Sequence, residues 1–335
     1  MCTGQFEHAS ACSAHTDAAG TAAGAEAASA LSRRGFLRTA AVGAAVVGAA
    51  GAGVPLASSA AADSTAARHG GGGRRIPNSK ISIQLYTVRD ILAQDFEGTL
   101  ARLAQIGYRK VEHAGFVGRT AAEFKAALDT YGIRATSGHS GIPQPFNATA
   151  WRAQLADART LGSRYIVHPF FGINENGPIR DRAVWTAFAH DLNRAGRLAR
   201  EAGLRFGYHN HNSEFFRLTD GSGQTGMDVL IAETDPRYVH FELDLFWVTR
   251  GATDPVDLVN RIGRRVLQYH VKDLAQSGSF EDPGRGLINF PRIFRAHQVD
   301  EYIVERDDAG TPPRAPADAL TTAAVGYEFL STVRF

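Results

Sequence analysis

The stretch Glu201-Ala202-Gly203-Leu204-Arg205-Phe206-Gly207-Tyr208-His209-Asn210-His211 holds the pattern that decides the fold. A helical run ends at Gly203, and an apolar run begins at once at Leu204. Glycine just past a helix supplies the left-handed residue that lets the chain turn straight into a strand. Alternate residues of a strand share a face, so His209 and His211 point the same way where the apolar run stops. Glu214 follows on the loop beyond. Two imidazoles and a carboxylate at a strand end suit metal binding or acid–base work. Taken alone, a polar strand end with solvated histidines explains them equally well.

The same punctuation recurs outward from this stretch, with Gly107 before Tyr108, Gly132 before Ile133 and Gly162 shortly before Tyr165. Eight strands are expected, at 81–86, 108–113, 133–138, 164–168, 204–209, 239–244, 266–271 and 301–305. Helices are expected near 96–106, 120–131, 148–161, 182–202, 226–233, 254–262, 290–297 and 316–331. Helices alternating with strands through such short turns imply parallel strands with crossover helices. Eight units in an α/β chain point to a single (β/α)8 TIM barrel over residues 80–335. No G-x-G-x-x-G turn follows the first strand, so a dinucleotide fold lacks its signal.

Ahead of the barrel, Ser32-Arg33-Arg34-Gly35-Phe36-Leu37-Arg38 precedes a weakly apolar stretch, Thr39 to Ala57, and then Ala60-Ala61-Ala62. This resembles a twin-arginine export signal with an A-x-A cleavage site. The stretch is mostly Ala, Gly and Val with a Pro, which is poor material for a permanent membrane span. Residues 1–62 are therefore expected to be the signal, and 63–79, with Gly70 to Gly73 and Arg74-Arg75, a flexible linker. The expected partner is the twin-arginine export machinery, and the destination is the periplasm or the exterior. Both cysteines, Cys2 and Cys12, fall in this segment, so the barrel has no disulfide and no cysteine metal site. A formal net charge of +2 argues against a nucleic-acid partner.

In a barrel of this kind the C-terminal strand ends converge on one mouth, where active sites are built. Nearly every expected strand ends in polar or ionisable residues: Glu112, His139, His168, His209, Glu242-Leu243-Asp244, His270-Val271-Lys272 and Glu305 among them. By alternation His240, Glu242 and Asp244 share one face, and Gln268, His270 and Lys272 share another. Such charges are rarely buried unless paired or bound to metal. An ionic network with Lys272 and Arg306 is the alternative, but it does not account for so many imidazoles at one level.

These residues carry a resemblance from about Ile81 to the C-terminus. It rests on Gln84 to Arg89, Tyr208-His209-Asn210-His211 with Glu214-Phe215, and Glu242-Leu243-Asp244 with Phe246-Trp247. Tyr269-His270-Val271-Lys272-Asp273, Gly284-Arg285-Gly286 with Asn289-Phe290-Pro291, and Val304-Glu305 complete it. The ordered set resembles the sugar phosphate isomerase/epimerase superfamily, the xylose isomerase-like barrels. That resemblance implies one divalent cation held by groups from strands five to eight. By position these are His209, Asp244, His270 and Glu305, with His209 standing where the family usually has a glutamate. The departure leaves open whether His209 or Glu214 is the strand-five ligand. It also puts a two-glutamate acid/base mechanism in doubt.

The expected catalytic groups are Glu305, His209, Glu214 and Lys272, the last holding a hydroxyl or a developing oxyanion. Glu112, His139, His168, His211, Trp247 and Arg285 are expected to line the substrate site. Two imidazoles with carboxylates favour Mn, Co, Zn or Fe over Mg. The leading expectation is an exported, metal-dependent sugar isomerase or epimerase that abstracts a proton next to a carbonyl. A lyase or hydrolase acting on 3-keto-glycosides would use the same first step. An endonuclease-IV-like repair enzyme and a non-catalytic sugar-binding protein are the remaining alternatives. The expected substrate is a sugar or keto-sugar; the oligomeric state is open, a homo-oligomer included.

Overall fold

The computed structural model describes residues 73–335. The expected signal, 1–62, lies outside the described residues, as does most of the expected linker. Eight parallel strands carry the fold: β1 Ile81–Gln84, β2 Lys110–His113, β3 Arg134–Gly138, β4 Tyr165–His168, β5 Arg205–His209, β6 Val239–Asp244, β7 Val266–Val271 and β8 Glu301–Val304. Their order is β3-β2-β1-β8-β7-β6-β5-β4. The seam between β3 and β4 is closed by a parallel bridge of His139 with Val167. There the Arg164 N–H donates to the Thr136 carbonyl at 2.9 Å and the Ser140 N–H to the Val167 carbonyl at 2.8 Å. The result is the expected (β/α)8 barrel with helices outside.

Local sequence explains the alternation. Polar residues start the helices: Thr120 and Glu123 form a capping box before Ala121–Thr130, and Thr225 and Asp228 another before Gly226–Glu233. Asp181 caps Arg182–Glu201, and Asp254 caps a helix that opens with Pro255. Each cap is worth about 1 kcal/mol. At the other end Gly162 (φ 74°) and Gly203 (φ 80°) take the left-handed conformation that hands the chain to β4 and β5. The helices bury one face: Trp185, Phe188, Leu192 and Ala199 of Arg182–Glu201 lie in the core. A further helix, Leu245–Arg250, was not expected; Asp244 starts it by accepting the Trp247 N–H at 2.9 Å.

The barrel interior is polar along its axis. His240 and Gln268 meet at 3.0 Å, the Gln268 amide donates to Ser137 Oγ at 3.0 Å, and Ser137 donates to Glu112 Oε2 at 2.5 Å. Gly207 makes room for this layer, since a Cβ there would lie 2.4 Å from His240 Nε2. Below, Lys110 pairs with Glu301 at 3.0 Å.

The expected linker boundary at 79 is corrected by the structure. Residues near 74–79 are folded onto the barrel, because Arg74 and Phe335 exchange backbone hydrogen bonds of 2.8 and 3.0 Å. Ile76 is 2% exposed, and Lys80 donates to the Val299 carbonyl at 2.7 Å. Basic and glycine-rich composition disguised a segment held by one apolar anchor. Ile76→Ala is expected to cost about 2–4 kcal/mol of stability, read as a lowered urea midpoint. An unchanged midpoint would show that this segment is a linker after all.

Candidate active site

The strand ends bring their ionisable groups into one buried cluster. Donor atoms of His209, Asp244, His270 and Glu305 all lie within 4.8 Å of one another, and so do those of His139, His209, Glu242 and His270. Asn210 ties β5 to β6: its Oδ1 accepts the Asp244 N–H at 3.1 Å, and its amide reaches the Asp244 carbonyl at 3.4 Å. Asp244 is then aimed by its two oxygens. Oδ1 caps the following helix at Trp247, and Oδ2 faces Lys272 Nζ at 2.9 Å.

Lys272 is buried among three carboxylates, Asp244, Glu305 (2.8 Å) and Asp307 (2.7 Å). Burial alone would lower its pKa, but those acids hold it well above the ordinary value. His270 is flanked on both ring nitrogens: Nδ1 lies 2.6 Å from Glu305 Oε2, and Nε2 lies 2.7 Å from Glu112 Oε1. Burial works against its charge, yet Glu242, Glu305 and Glu112 together raise its pKa well above normal. His209, by contrast, is held neutral, with its pKa pushed down to about 3 by burial and by His270 beside it. Burial raises Asp307 to about 6 despite Lys272.

Lys272 thus meets Asp244, Glu305 and Asp307, while Glu112 and Glu242 meet the imidazoles of His139, His209 and His270. Burying an uncompensated charge costs several kcal/mol. Glu242 Oε2 is buried without a hydrogen-bond partner, and Asp244 Oδ2 is met by the Lys272 ammonium at 2.9 Å. An excess of buried carboxylate, an orphaned oxygen on Glu242 and two imidazoles together fit a divalent cation of the Mn, Co, Zn or Fe type.

The wall of the mouth is aromatic. The His211 ring lies 5.0 Å from Phe170 and 5.2 Å from Trp247, and Trp247 lies 5.8 Å from Phe280. Trp247 Nε1 is buried and lacks a hydrogen-bond partner.

The sequence profile described as "Xylose isomerase-like TIM barrel" matches residues 100–318. The chain belongs to that family. Among curated relatives, an inosose dehydratase of Clostridium beijerinckii is 24% identical over 240 residues, covering 62% of this chain and 79% of the relative. An inosose dehydratase of Geobacillus kaustophilus is 25% identical, covering 58% and 73%. Among solved structures, a sugar phosphate isomerase/epimerase of Parabacteroides distasonis is 25% identical with a TM-score of 0.65, covering 77% of this chain and 95% of that one.

Within this xylose isomerase-like barrel, several residues expected at the site are engaged elsewhere. Glu214 is turned into its own loop. Tyr208 Oη donates to its Oε1 at 2.5 Å, the His211 N–H to the same oxygen at 3.0 Å, and Ser213 to Oε2 at 2.8 Å. His209, not Glu214, stands with Asp244, His270 and Glu305. Glu112, expected to meet sugar hydroxyls, is fully buried below the mouth, with Gln84 (2.8 Å), Ser137 and His270 on its oxygens. His168 is a clamp: Nδ1 accepts the Ile142 N–H at 2.9 Å, and Nε2 donates to the Phe170 carbonyl at 2.8 Å. Arg285 is exposed on a loop pinned by Asp273, which accepts the N–H groups of Gly284 (2.9 Å) and Gly286 (2.8 Å). His139 does reach the cluster, 2.9 Å from Glu242, and His211 and Trp247 border it.

Glu242, Asp307 and Asn210 were missed as site residues. Glu242 was legible, because it shares a strand face with Asp244. Asp307 and Asn210 lie past the strand ends, where alternation no longer assigns direction.

The His168 clamp yields a pH-dependent prediction. Burial lowers its pKa to about 4, against roughly 6.5 in an unfolded chain. The unfolded state binds the extra proton, so the stabilisation is complete above the unfolded value and is lost as pH falls toward the folded one. The stability advantage of the wild type over His168→Gln is expected to shrink by roughly 2 kcal/mol between about pH 7.5 and pH 5. Urea unfolding at the two pH values measures it, and a constant difference would contradict it.

Proposed function

We propose that this chain is a divalent-metal-dependent lyase that eliminates water or an alcohol from a keto-sugar or keto-glycoside. One observation carries the reading: β5 delivers neutral His209, bonded through Nδ1 to Glu242 at 3.1 Å, while Glu214 is turned away. Epimerisation needs an acid–base group on each face of the reacting carbon. Elimination needs one, and Glu305 at the mouth provides it. The curated relatives named inosose dehydratase lend support, since that name denotes loss of water.

His209, Asp244, His270 and Glu305 would hold the cation, which when bound supplies Lewis-acid stabilisation of negative charge beside the carbonyl. The Glu305 carboxylate removes the proton from the carbon next to the ketone, and the C–H electron pair becomes the C=C bond of an enolate. Lys272, an ammonium 2.8 Å from Glu305 Oε2, donates to the oxygen that gains charge. The ketone then re-forms, its electron pair moves to a new C=C bond, and the C–O bond to the leaving group breaks. The proton held on Glu305 passes to the leaving oxygen, which departs as water or alcohol. Trp247, Phe170 and His211 enclose the reacting face and limit water. The Ser32–Arg38 sequence supports export of the enzyme by the twin-arginine route.

A second reading, a sugar isomerase or epimerase, is favoured by the likeness to the Parabacteroides distasonis structure. It shares the proton abstraction and differs in the fate of the enolate, which is reprotonated with every substituent retained.

Incubation with a 3-keto-glycoside or a keto-cyclitol in D2O distinguishes them. Release of aglycone or water, with a rising ultraviolet absorbance from the conjugated ketone, is expected. Chelator should abolish it, and Mn2+ or Co2+ should restore it. Glu305→Gln is expected to lower kcat by about 10²–10⁴-fold. Deuterium uptake without loss of any substituent would establish isomerisation or epimerisation instead.

A further inference from the structure

Two overlapping sets of groups share His209 and His270. Asp244 and Glu305 meet them from the mouth, while His139 and Glu242 meet them from below, with Glu112 at His270. Each shared ring turns one nitrogen to each set. A ring nitrogen offers either a lone pair to a metal or a proton to a carboxylate. The placement of protons therefore decides which set can take a cation.

On the lower side every nitrogen faces a carboxylate oxygen. His209 Nδ1 lies 3.1 Å from Glu242 Oε1, and His139 Nε2 lies 2.9 Å from the same atom. His270 Nε2 lies 2.7 Å from Glu112 Oε1 and 3.0 Å from Glu242 Oε1. Ionised carboxylates only accept, so these three nitrogens carry protons. Glu112 is itself locked by the Gln84 amide at 2.8 Å and the Ser137 hydroxyl at 2.5 Å. On the upper side, His209 Nε2 stands 3.9 Å from Asp244 Oδ2, beyond hydrogen-bond reach, while that oxygen pairs with Lys272 Nζ at 2.9 Å. His270 Nδ1 lies 2.6 Å from Glu305 Oε2, so without a cation that nitrogen carries a proton as well.

We infer that Glu112 and Glu242 are positioning residues that fix the tautomers of the two metal-binding histidines. The inference rests on the metal reading above. Glu242 holds His209 with its proton on Nδ1, and Glu112 holds His270 with its proton on Nε2. The lone pair of His209 Nε2, and that of His270 Nδ1 once a cation displaces the proton it shares with Glu305 at 2.6 Å, are thereby aimed at the space beside Asp244 and Glu305. His139 shares Glu242 as a donor and is not a ligand. Carboxylates behind ligating imidazoles raise their basicity and fix their orientation.

The test uses the full chain, stripped with chelator and reloaded with Zn2+, followed by calorimetric titration and long-range 1H–15N spectra of the histidine rings. One Zn2+ per chain is expected, with His209 as the Nδ1–H and His270 as the Nε2–H tautomer. Glu112→Gln and Glu242→Gln are expected to weaken Zn2+ binding about 10–100-fold. His139→Gln should keep one Zn2+ per chain, and Asp244→Asn should lose it. The opposite tautomers in the wild type, or unchanged affinity in both glutamine variants, would overturn the inference. So would loss of Zn2+ in His139→Gln with retention in Asp244→Asn, which would place the cation in the lower set. If the wild type takes up no Zn2+, Mn2+ or Co2+, the metal reading itself falls, and the inference with it. The wild-type tautomers decide the matter even if a variant fails to fold.

Discussion

The barrel encloses more carboxylate than it can neutralise. Glu112, Glu242, Asp244 and Glu305 are buried at the C-terminal end of the sheet, where Lys272 is the fixed cation in contact with the last two. Charges taken out of water cost several kcal/mol each unless they are matched. Such a cluster persists by taking up protons on its imidazoles or by binding a cation. Both responses are visible in the residues chosen. His270 sits between acids that raise its pKa, while His209 beside it remains neutral and able to offer a lone pair.

The rest of the fold serves to hold that imbalance still. Hydrogen bonds rise through the barrel from His240 by way of Gln268 and Ser137 to Glu112, so the lower side of the cluster is anchored to the sheet itself. Asn210 ties β5 to β6, and Asp244 gives one oxygen to the helix that begins at Leu245 and keeps the other for the site. Asp273 pins the loop after β7, which carries Phe280 against Trp247. The proposed proton transfer would need this rigidity, since misplacement by about 1 Å can cost roughly a hundredfold in rate.

Much of this was legible in the sequence where periodicity governs direction. Glycines after helices located the strands, and strict alternation put Asp244, His270 and Glu305 on inward faces beside His209. Legibility ended where periodicity did. Glu214 lies on a loop, and a tyrosine from its own strand captured it. Arg285 lies on another loop and is exposed. Glu112 reads as a substrate contact because alternation gives a face but not a depth, and its partners Gln84 and Ser137 come from the neighbouring strands. Residues near 74–79 resemble a linker because one buried isoleucine leaves no periodic trace.

The most direct measurement is an anomalous-scattering map from crystals of the full chain soaked in Mn2+ or Co2+. The account predicts one peak, bounded by His209 Nε2, Asp244, His270 Nδ1 and Glu305. A peak among His139, Glu242 and the opposite faces of the two shared rings, or no peak with Lys272 still seated among its three acids, would contradict it.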